Sequence, residues 1–139
     1  MTKTFNYNDG GRSKYFKAVN VNDCVTRAIA IATNKDYKEV YDIVNKEARK
    51  HRNGGNARNG INSKVVRNII SIFGGIWHST MDIGIGCVVH LRADELPSGR
   101  IICRCSGHDV AVIDGVLNDT YDCSRGGRRC VYGYWTFNK

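Results

Sequence analysis

Hydrophobic residues recur at helical spacing in the first half of the chain. A first helix is predicted to begin at Cys24, capped by Asp23, and to stop near Asn34, a residue type that tolerates the left-handed conformation. A second helix is predicted after Asp36, whose spacing to Glu39 fits a capping box with aspartate as the cap. A third helix carries apolar residues that are expected to face the core: Ile61, Val65, Val66, Ile69, Ile70 and Phe73.

The pattern changes from helices to strands after residue 86. The predicted strands are 87–91, 100–105, 108–113, 116–121 and 131–137. Helices followed by antiparallel strands predict an α+β fold. We therefore predict a single domain over residues 1–139. It would consist of an irregular segment at 1–20, a helical part at 21–75 and an antiparallel sheet at 86–139.

The turn Asp114-Gly115 separates two apolar runs and predicts a tight two-residue hairpin. If the residues that flank this turn are opposite each other, His108 and Asp119 lie on the same face of the hairpin. Their backbones are then about 7–8 Å apart on a diagonal, which is within reach of their side chains. A shift of register by one residue would place Asn118 on that face instead.

Composition sets the class of protein. The chain has 139 residues, of which 42% are hydrophobic, and it has no apolar run near the roughly 18 residues of a membrane span. The first residues have no apolar signal-peptide core, which predicts a cytoplasmic location in whatever cell makes the protein. In that compartment the six cysteines are expected to be free thiols. The alternative is a zinc site, which the Cys-x-Cys spacing disfavours, so neither metal nor cofactor is predicted. Its candidate ligands are Cys103, Cys105, Cys123 and Cys130.

Positive charge is concentrated in the first half of the chain. The formal net charge is +8, and residues 1–70 contain 14 Lys and Arg against 6 Asp and Glu. The densest part is a basic patch, which we define as Arg49, Lys50, Arg52, Arg58, Lys64 and Arg67. Such a patch attracts nucleic acid or an acidic protein surface. The alternative to such a binding site is a solvated helix face with a basic loop. No aromatic residue lies between these charges in the sequence, so base stacking on single-stranded nucleic acid is not predicted.

Three residues in this chain order indicate nucleophilic catalysis. Cys24 at a helix start would be the nucleophile, since the helix dipole favours a thiolate there. His108 would take its proton, and Asp119 would orient the imidazole, with Asp122 and Asn118 as alternatives for this acid. The other interpretation of Cys24 is a cysteine that only packs in an apolar helix.

An enzyme of this kind also needs donors for the oxyanion of its intermediate. The backbone N–H of Cys24 is one candidate, and the side chain of Asn20 or Asn22 is the other. Asparagine before a helix also has a structural explanation, because it is a common turn residue.

Residues 23–30 and 107–122 resemble the nucleophile and histidine motifs of papain-like cysteine peptidases, in particular those that process bacteriocin leader peptides. Nearly the whole chain also resembles a family of small bacterial and phage proteins without an assigned activity. That likeness rests on residues 9–12, 89–91, 95–97 and 130–135. The chain departs from papain-like enzymes at Ala18, where they have a glutamine, and at Val25, where they have a glycine.

The resemblance implies a papain-like fold and a cysteine hydrolase, either a peptidase or isopeptidase or an amide transferase. Its substrate would be a peptide or protein, including a host protein if a phage encodes the chain. One alternative is an inactive papain-like protein that binds and inhibits a host factor or defence system. Another is a nucleic-acid-binding protein that uses the basic patch. No membrane partner is expected.

Overall fold

The computed structural model describes residues 3–17, 21–81 and 84–137. Its helices within these ranges are α1 (Cys24–Thr33), α2 (Tyr37–Ala48) and α3 (Ser63–Ile72). Two of them are capped by side chains, since Asp36 accepts the N–H of Glu39 at 3.3 Å and Asn62 accepts that of Lys64 at 2.9 Å. Asn34 ends α1 in the left-handed conformation, with φ 56°. The predicted ends of α1 and the predicted cap of α2 are therefore confirmed.

The strands are short and come from both halves of the chain. They are β1 (Phe5–Tyr7), β2 (Gly55–Asn56), β3 (Gly60–Ile61), β4 (Gly75–Ser79), β5 (Arg100–Cys105), β6 (His108–Ile113), β7 (Val116–Asp119) and β8 (Gly133–Phe137). A six-stranded sheet has the order β1-β7-β6-β5-β8-β4, while β2 and β3 form a separate hairpin. β1 lies parallel to β7, and the other neighbours in the large sheet are antiparallel. The α+β class is confirmed, but the sheet is mixed.

Several predicted boundaries are wrong, because pairing with distant segments decides where strands form. Residues 87–91 were predicted as a strand, but they contribute only an isolated bridge between His90 and Cys130. The segment 1–20, predicted to be irregular, contains β1 and a short 3-10 turn at Arg12–Lys14. The sheet also takes in β4, which lies outside the predicted range 86–139.

The predicted hairpin between β6 and β7 is confirmed in its register. Ile113 lies opposite Val116, and Val112 lies opposite Leu117. Both turn residues have positive φ, 49° at Asp114 and 82° at Gly115, as a turn of the primed type requires. This register fixes which side chains of the two strands share a face.

The sheet separates two apolar clusters. The helices pack on one face through residues that are almost fully buried, among them Ile29, Val40, Val44, Ile69, Ile70, Ile102, Ala111 and Trp135. The second cluster contains Leu91, Ile101, Cys103, Cys105, Val110, Val112, Leu117, Cys123 and Val131. Burial on both faces stabilises β5 and β6 and holds the ends of β6 and β7 in place. In the described part of the chain, no helix has the length and apolar character needed to cross a membrane.

The cysteines do not all remain free thiols. Cys87 and Cys130 form a disulfide with a Cα–Cα distance of 5.9 Å. The expectation of six free thiols is therefore wrong for this pair, since the His90–Cys130 bridge brings together segments that are far apart in the sequence. The alternative zinc site is wrong as well, because Cys130 is bonded to Cys87. The other four cysteines, Cys24, Cys103, Cys105 and Cys123, are free and buried.

Candidate active site

Cys24 is the first residue of α1, and 8% of its surface is exposed. Asp23 occupies the N-cap position, but its side chain does not cap the helix. Its carboxylate instead accepts hydrogen bonds from Arg12 Nη1 at 2.9 Å and from the Tyr37 hydroxyl at 2.6 Å, and it pairs with Arg27. The residue before the candidate nucleophile is thus fixed by three buried side chains.

Arg27 connects the start of α1 to the end of β7. Its guanidinium pairs with Asp23 one turn earlier in the helix, and its Nη2 donates to Asp119 Oδ1 at 3.0 Å. Burial lowers the pKa of Arg27, but the charges of Asp23 and Asp119 outweigh burial and raise it. Arg27 therefore remains charged and holds the helix against the strand that carries Asp119.

His108 and Asp119 form a buried pair at the open end of the hairpin. His108 Nε2 lies 2.7 Å from Asp119 Oδ2, and the two residues are 7% and 2% exposed. Burial alone would raise the pKa of Asp119, but the hydrogen bond and charge of His108 lower it. Since Nε2 is used by Asp119, the other ring nitrogen, Nδ1, remains for another partner.

The thiols of Cys24 and Cys123 both affect the pKa of His108. Burial lowers its pKa, but hydrogen bonding with Asp119, and then with Cys123 and Cys24, raises that pKa to about 12. The ring of Tyr121 lies beside the imidazole, with centroids 5.5 Å apart. The structure therefore brings the predicted base and orienting acid into contact, and the predicted nucleophile is one of the groups that raise the pKa of the base.

The alternative acids have other roles. Asn118 accepts hydrogen bonds from the side chains of Asn6 and Asn8 and donates to the carbonyl of Val116. Asp122 is exposed and accepts from the backbone N–H and hydroxyl of Ser124, which stabilises a turn. The structure places neither of them on His108, so these two alternatives are wrong.

Two of the predicted oxyanion donors, Asn22 and the backbone N–H of Cys24, lie within the described residues. Asn22 is exposed, its N–H donates to the carbonyl of Arg58 at 3.0 Å, and its side chain lies against Gly60. Asn20 and Ala18 lie outside the described residues. The backbone N–H of Cys24 lies in the first turn of α1, where such groups have no acceptor within the helix.

Three residues of the cluster have the atoms of a metal site. Ligand atoms of His108, Asp119 and Cys123 all lie within 4.8 Å of one another. However, Nε2 and Oδ2 are 2.7 Å apart, whereas two ligands of a tetrahedral zinc ion are separated by about 3.3 Å. This pair has the geometry of a hydrogen bond rather than of a metal site.

Sequence reasoning missed several members of the cluster. Arg12 and Tyr37 reach Asp23 only through the folding of distant segments, although the spacing of Asp23 and Arg27 fits a helical ion pair. Cys123 follows the predicted strand 116–121, and its sequence context predicts only a buried thiol or a zinc ligand. No short-range signal connects it to His108.

All six residues of the basic patch are exposed. They lie after α2, in the segment around β2 and β3, and on α3. Lys50 pairs with Glu47 at 3.0 Å, and the guanidinium of Arg67 lies 4.3 Å from the ring centre of Trp77. An aromatic ring therefore does lie beside the patch in space, although none interrupts it in the sequence.

Comparisons with protein-family models, with curated proteins and with solved structures each found no match.

Proposed function

We propose that this chain is a papain-like cysteine hydrolase or amide transferase, with Cys24 as nucleophile, His108 as base and Asp119 as orienting acid. The observation that carries the proposal is the 2.7 Å hydrogen bond between His108 Nε2 and Asp119 Oδ2. The thiol of Cys24 is among the groups that raise the pKa of His108. A histidine held by a carboxylate through one nitrogen, with a thiol near the ring, is the arrangement that thiol catalysis requires.

The placement of each residue supports this function. The nucleophile begins a helix whose dipole favours a negative charge, and the base and acid lie on neighbouring strands. Arg27 ties the helix start to the acid through two buried ion pairs. The three groups are therefore held by regular elements rather than by loops, which preserves their geometry.

The buried network around the site contains five charged or titratable side chains: Arg12, Arg27, His108, Asp23 and Asp119. When His108 is protonated, the cations in this network exceed the anions by one, and an uncompensated charge is costly in a buried site. In the proposed mechanism the proton of Cys24 passes to His108, and the sulfur supplies the missing negative charge.

The reaction then follows from these positions. The thiolate attacks an amide carbonyl, and the backbone N–H of Cys24 donates to the oxyanion that forms. His108 gives its proton to the leaving amine, which leaves an acyl group on Cys24. Water or a second amine, deprotonated by His108, releases this acyl group as an acid or as a new amide. Because Cys24 is only 8% exposed, we expect an extended peptide segment to reach it more readily than a folded surface.

Reaction with a cysteine-directed peptidyl electrophile at neutral pH tests the proposal. The wild-type chain should be labelled at Cys24, and Cys24→Ala should lose this label while its circular dichroism spectrum is unchanged. Cys123→Ser is the matched control, because it removes the other thiol beside His108 and should retain the label. If Cys24 does not react with the electrophile, the protein is not a thiol enzyme. The arrangement of His108 and Asp119 is then better explained by a papain-like protein that binds a partner without catalysis.

One observation favours nucleic-acid binding as a second function. The exposed basic patch lies beside Trp77, so cationic and aromatic groups are present together. Salt-dependent retention on single-stranded DNA or RNA would support this function. Charge reversal at Arg49, Lys50 and Arg52 should then abolish retention, and no retention at low salt would contradict it.

A further inference from the structure

A second group of cysteine, histidine and carboxylate lies between β4 and β5, outside the candidate active site. Cys87 Sγ lies 3.6 Å from His90 Nε2, and His90 Nδ1 lies 3.1 Å from Glu95 Oε1. The two contacts use opposite nitrogens of the ring. The imidazole therefore links the carboxylate to the sulfur.

The carboxylate of Glu95 is held in place from both sides. Its Oε1 also accepts the backbone N–H of His90 at 3.2 Å, and its Oε2 lies 3.4 Å from Arg92 Nε. An acceptor at Nδ1 keeps the proton of a neutral imidazole on that nitrogen. Nε2 then presents a lone pair to Cys87, as a base for a thiol requires.

Cys87 is bonded to Cys130, and the two sulfurs differ in access. Cys87 is exposed, whereas Cys130 is half-buried with its Sγ 3.7 Å from the sulfur of Met81. An external thiolate therefore reaches Cys87 first, and Cys130 is the leaving sulfur. A small thiol also has room to approach, because the side chain of His90 is 34% exposed.

We propose that Cys87–Cys130 is an exchangeable disulfide, and that His90 and Glu95 activate the reduced Cys87 for reaction with low-molecular-weight disulfides. This site would exchange thiols and disulfides independently of the hydrolase proposed above. Its side chains come from three separate segments, residues 89–91, 95–97 and 130–135, which supply His90, Glu95 and Cys130.

Reduction of the disulfide proceeds by two exchanges. A thiolate RS⁻ attacks Cys87 Sγ, the new R–S–S bond forms, and the bond to Cys130 breaks with its electron pair on Cys130 Sγ, which takes a proton from water. A second RS⁻ attacks the R sulfur of this mixed disulfide, which releases RSSR and the Cys87 thiolate. Two thiols are thus oxidised to one disulfide, and the protein disulfide is reduced to two thiols.

The reverse direction uses His90 as a base. Nε2 takes the proton of Cys87, whose thiolate attacks RSSR and releases RS⁻. The released RS⁻ takes the proton of Cys130, whose thiolate attacks Cys87 Sγ, releases the second RS⁻ and restores the protein disulfide. The second RS⁻ takes the proton held by His90, so that one RSSR becomes two thiols. The co-reactant in both directions is a small thiol or its disulfide.

The test measures alkylation of the reduced protein by iodoacetamide at pH 7, with rates at each cysteine obtained by peptide mass mapping. The Cys24→Ser variant serves as background, so that failure of the proposed hydrolase cannot alter the result. Cys87 should react about tenfold faster than Cys130, and His90→Gln and Glu95→Gln should each slow Cys87 by up to about tenfold. Asp94→Asn is the matched control, since Asp94 pairs with Arg92 rather than with His90.

A second measurement uses oxidised glutathione on the same reduced protein. In a Cys130→Ser variant the mixed disulfide should accumulate at Cys87, while the chain that retains Cys130 should form the Cys87–Cys130 bond. Equal alkylation of Cys87 and Cys130, a Cys87 rate unchanged by His90→Gln, or glutathione on other cysteines but not on Cys87 would each overturn the proposal.

Discussion

Arg27 and Asp119 are separated by 92 positions in the chain, yet their side chains form an ion pair at 3.0 Å with only 7% and 2% of their surfaces exposed. Asp119 uses its other carboxylate oxygen for His108. One aspartate therefore fixes both the helix that begins at Cys24 and the ring that would serve this cysteine. The same contacts are predicted to affect stability and reactivity together.

Removal of the charge at Arg27 should strongly destabilise the fold. Arg27→Met leaves Asp23 and Asp119 buried with one cation fewer, and the loss of one partner of a buried ion pair costs about 3–5 kcal/mol. Urea denaturation monitored by circular dichroism measures this change. Lys38→Met removes an exposed ion pair with Asp42 and should cost less than about 1 kcal/mol. Equal costs for the two variants would contradict the role given to the buried network.

Asp119→Asn should slow the reaction of Cys24 with a peptidyl electrophile. The amide keeps the size of the side chain but removes the negative charge that stabilises protonated His108, so the thiolate is less favoured. We expect a loss of at least about tenfold in labelling rate, measured by mass spectrometry on protein shown to be folded. Asp122→Asn is the control, because the carboxylate of Asp122 binds Ser124 and not His108. A similar loss in both variants would argue against Asp119 as the orienting acid.

Cys103 and Cys105 should not react with iodoacetamide in the folded protein at neutral pH. Burial raises the pKa of the Cys103 thiol well above its usual value and that of Cys105 to about 12. With a pKa of about 12, the Cys105 thiol is ionised to roughly one part in 10⁵ at pH 7. Mass mapping should show both cysteines unmodified until denaturant is added. Rapid modification in the absence of denaturant would show that the second apolar cluster opens readily.

The stability of the protein should depend on the ionisation of Asp109. Burial raises the pKa of this carboxyl to about 6, although Arg104 at 2.8 Å and His108 oppose the shift. The group binds its proton more tightly in the folded chain than in the unfolded chain, where its pKa is about 3.9. Protonated Asp109 therefore makes its full contribution to the free energy of unfolding below about pH 4, and this contribution is lost as the pH rises through about 6.

Asp109→Asn does not titrate and isolates this effect. As the pH rises from about 4 to 7, the free energy of unfolding of the variant should increase relative to that of the wild type. Urea denaturation at a series of pH values measures the difference between the two chains. A difference that is independent of pH would show that Asp109 keeps an ordinary pKa in the fold.

Local signals in the sequence predicted the elements that carry the candidate site. The start of α1 and the strands β5 and β6 match their predicted bounds, because caps, periodicity and the Asp114-Gly115 turn act over a few residues. The contact between His108 and Asp119 followed from the hairpin register alone. The N-cap of α1 is an exception, because buried side chains from other segments bind the carboxylate of Asp23 in place of the helix N–H groups.

Elements that depend on distant partners were not predictable in this way. β1 has three residues and forms by pairing with β7, more than a hundred positions away. Residues 87–91 are apolar enough for a strand, but Val88 is 53% exposed and lies outside the sheet. The contacts of Asp23 with Arg12 and Tyr37, and of His108 with Cys123, likewise require the folded chain. The disulfide partner of Cys87 could not be inferred from spacing either.

The pairing of β1 with β7 also has a consequence for biosynthesis. Tyr7 lies beside Asp119, and the N–H of Asn8 donates to the Asp119 carbonyl at 2.9 Å. A ribosome makes Cys24 early and His108 and Asp119 late, so a nascent chain carries the thiol long before its partners exist. In the proposed mechanism, the thiol would therefore gain its base and its orienting acid only after the segment that carries Asp119 had been made and had folded against α1.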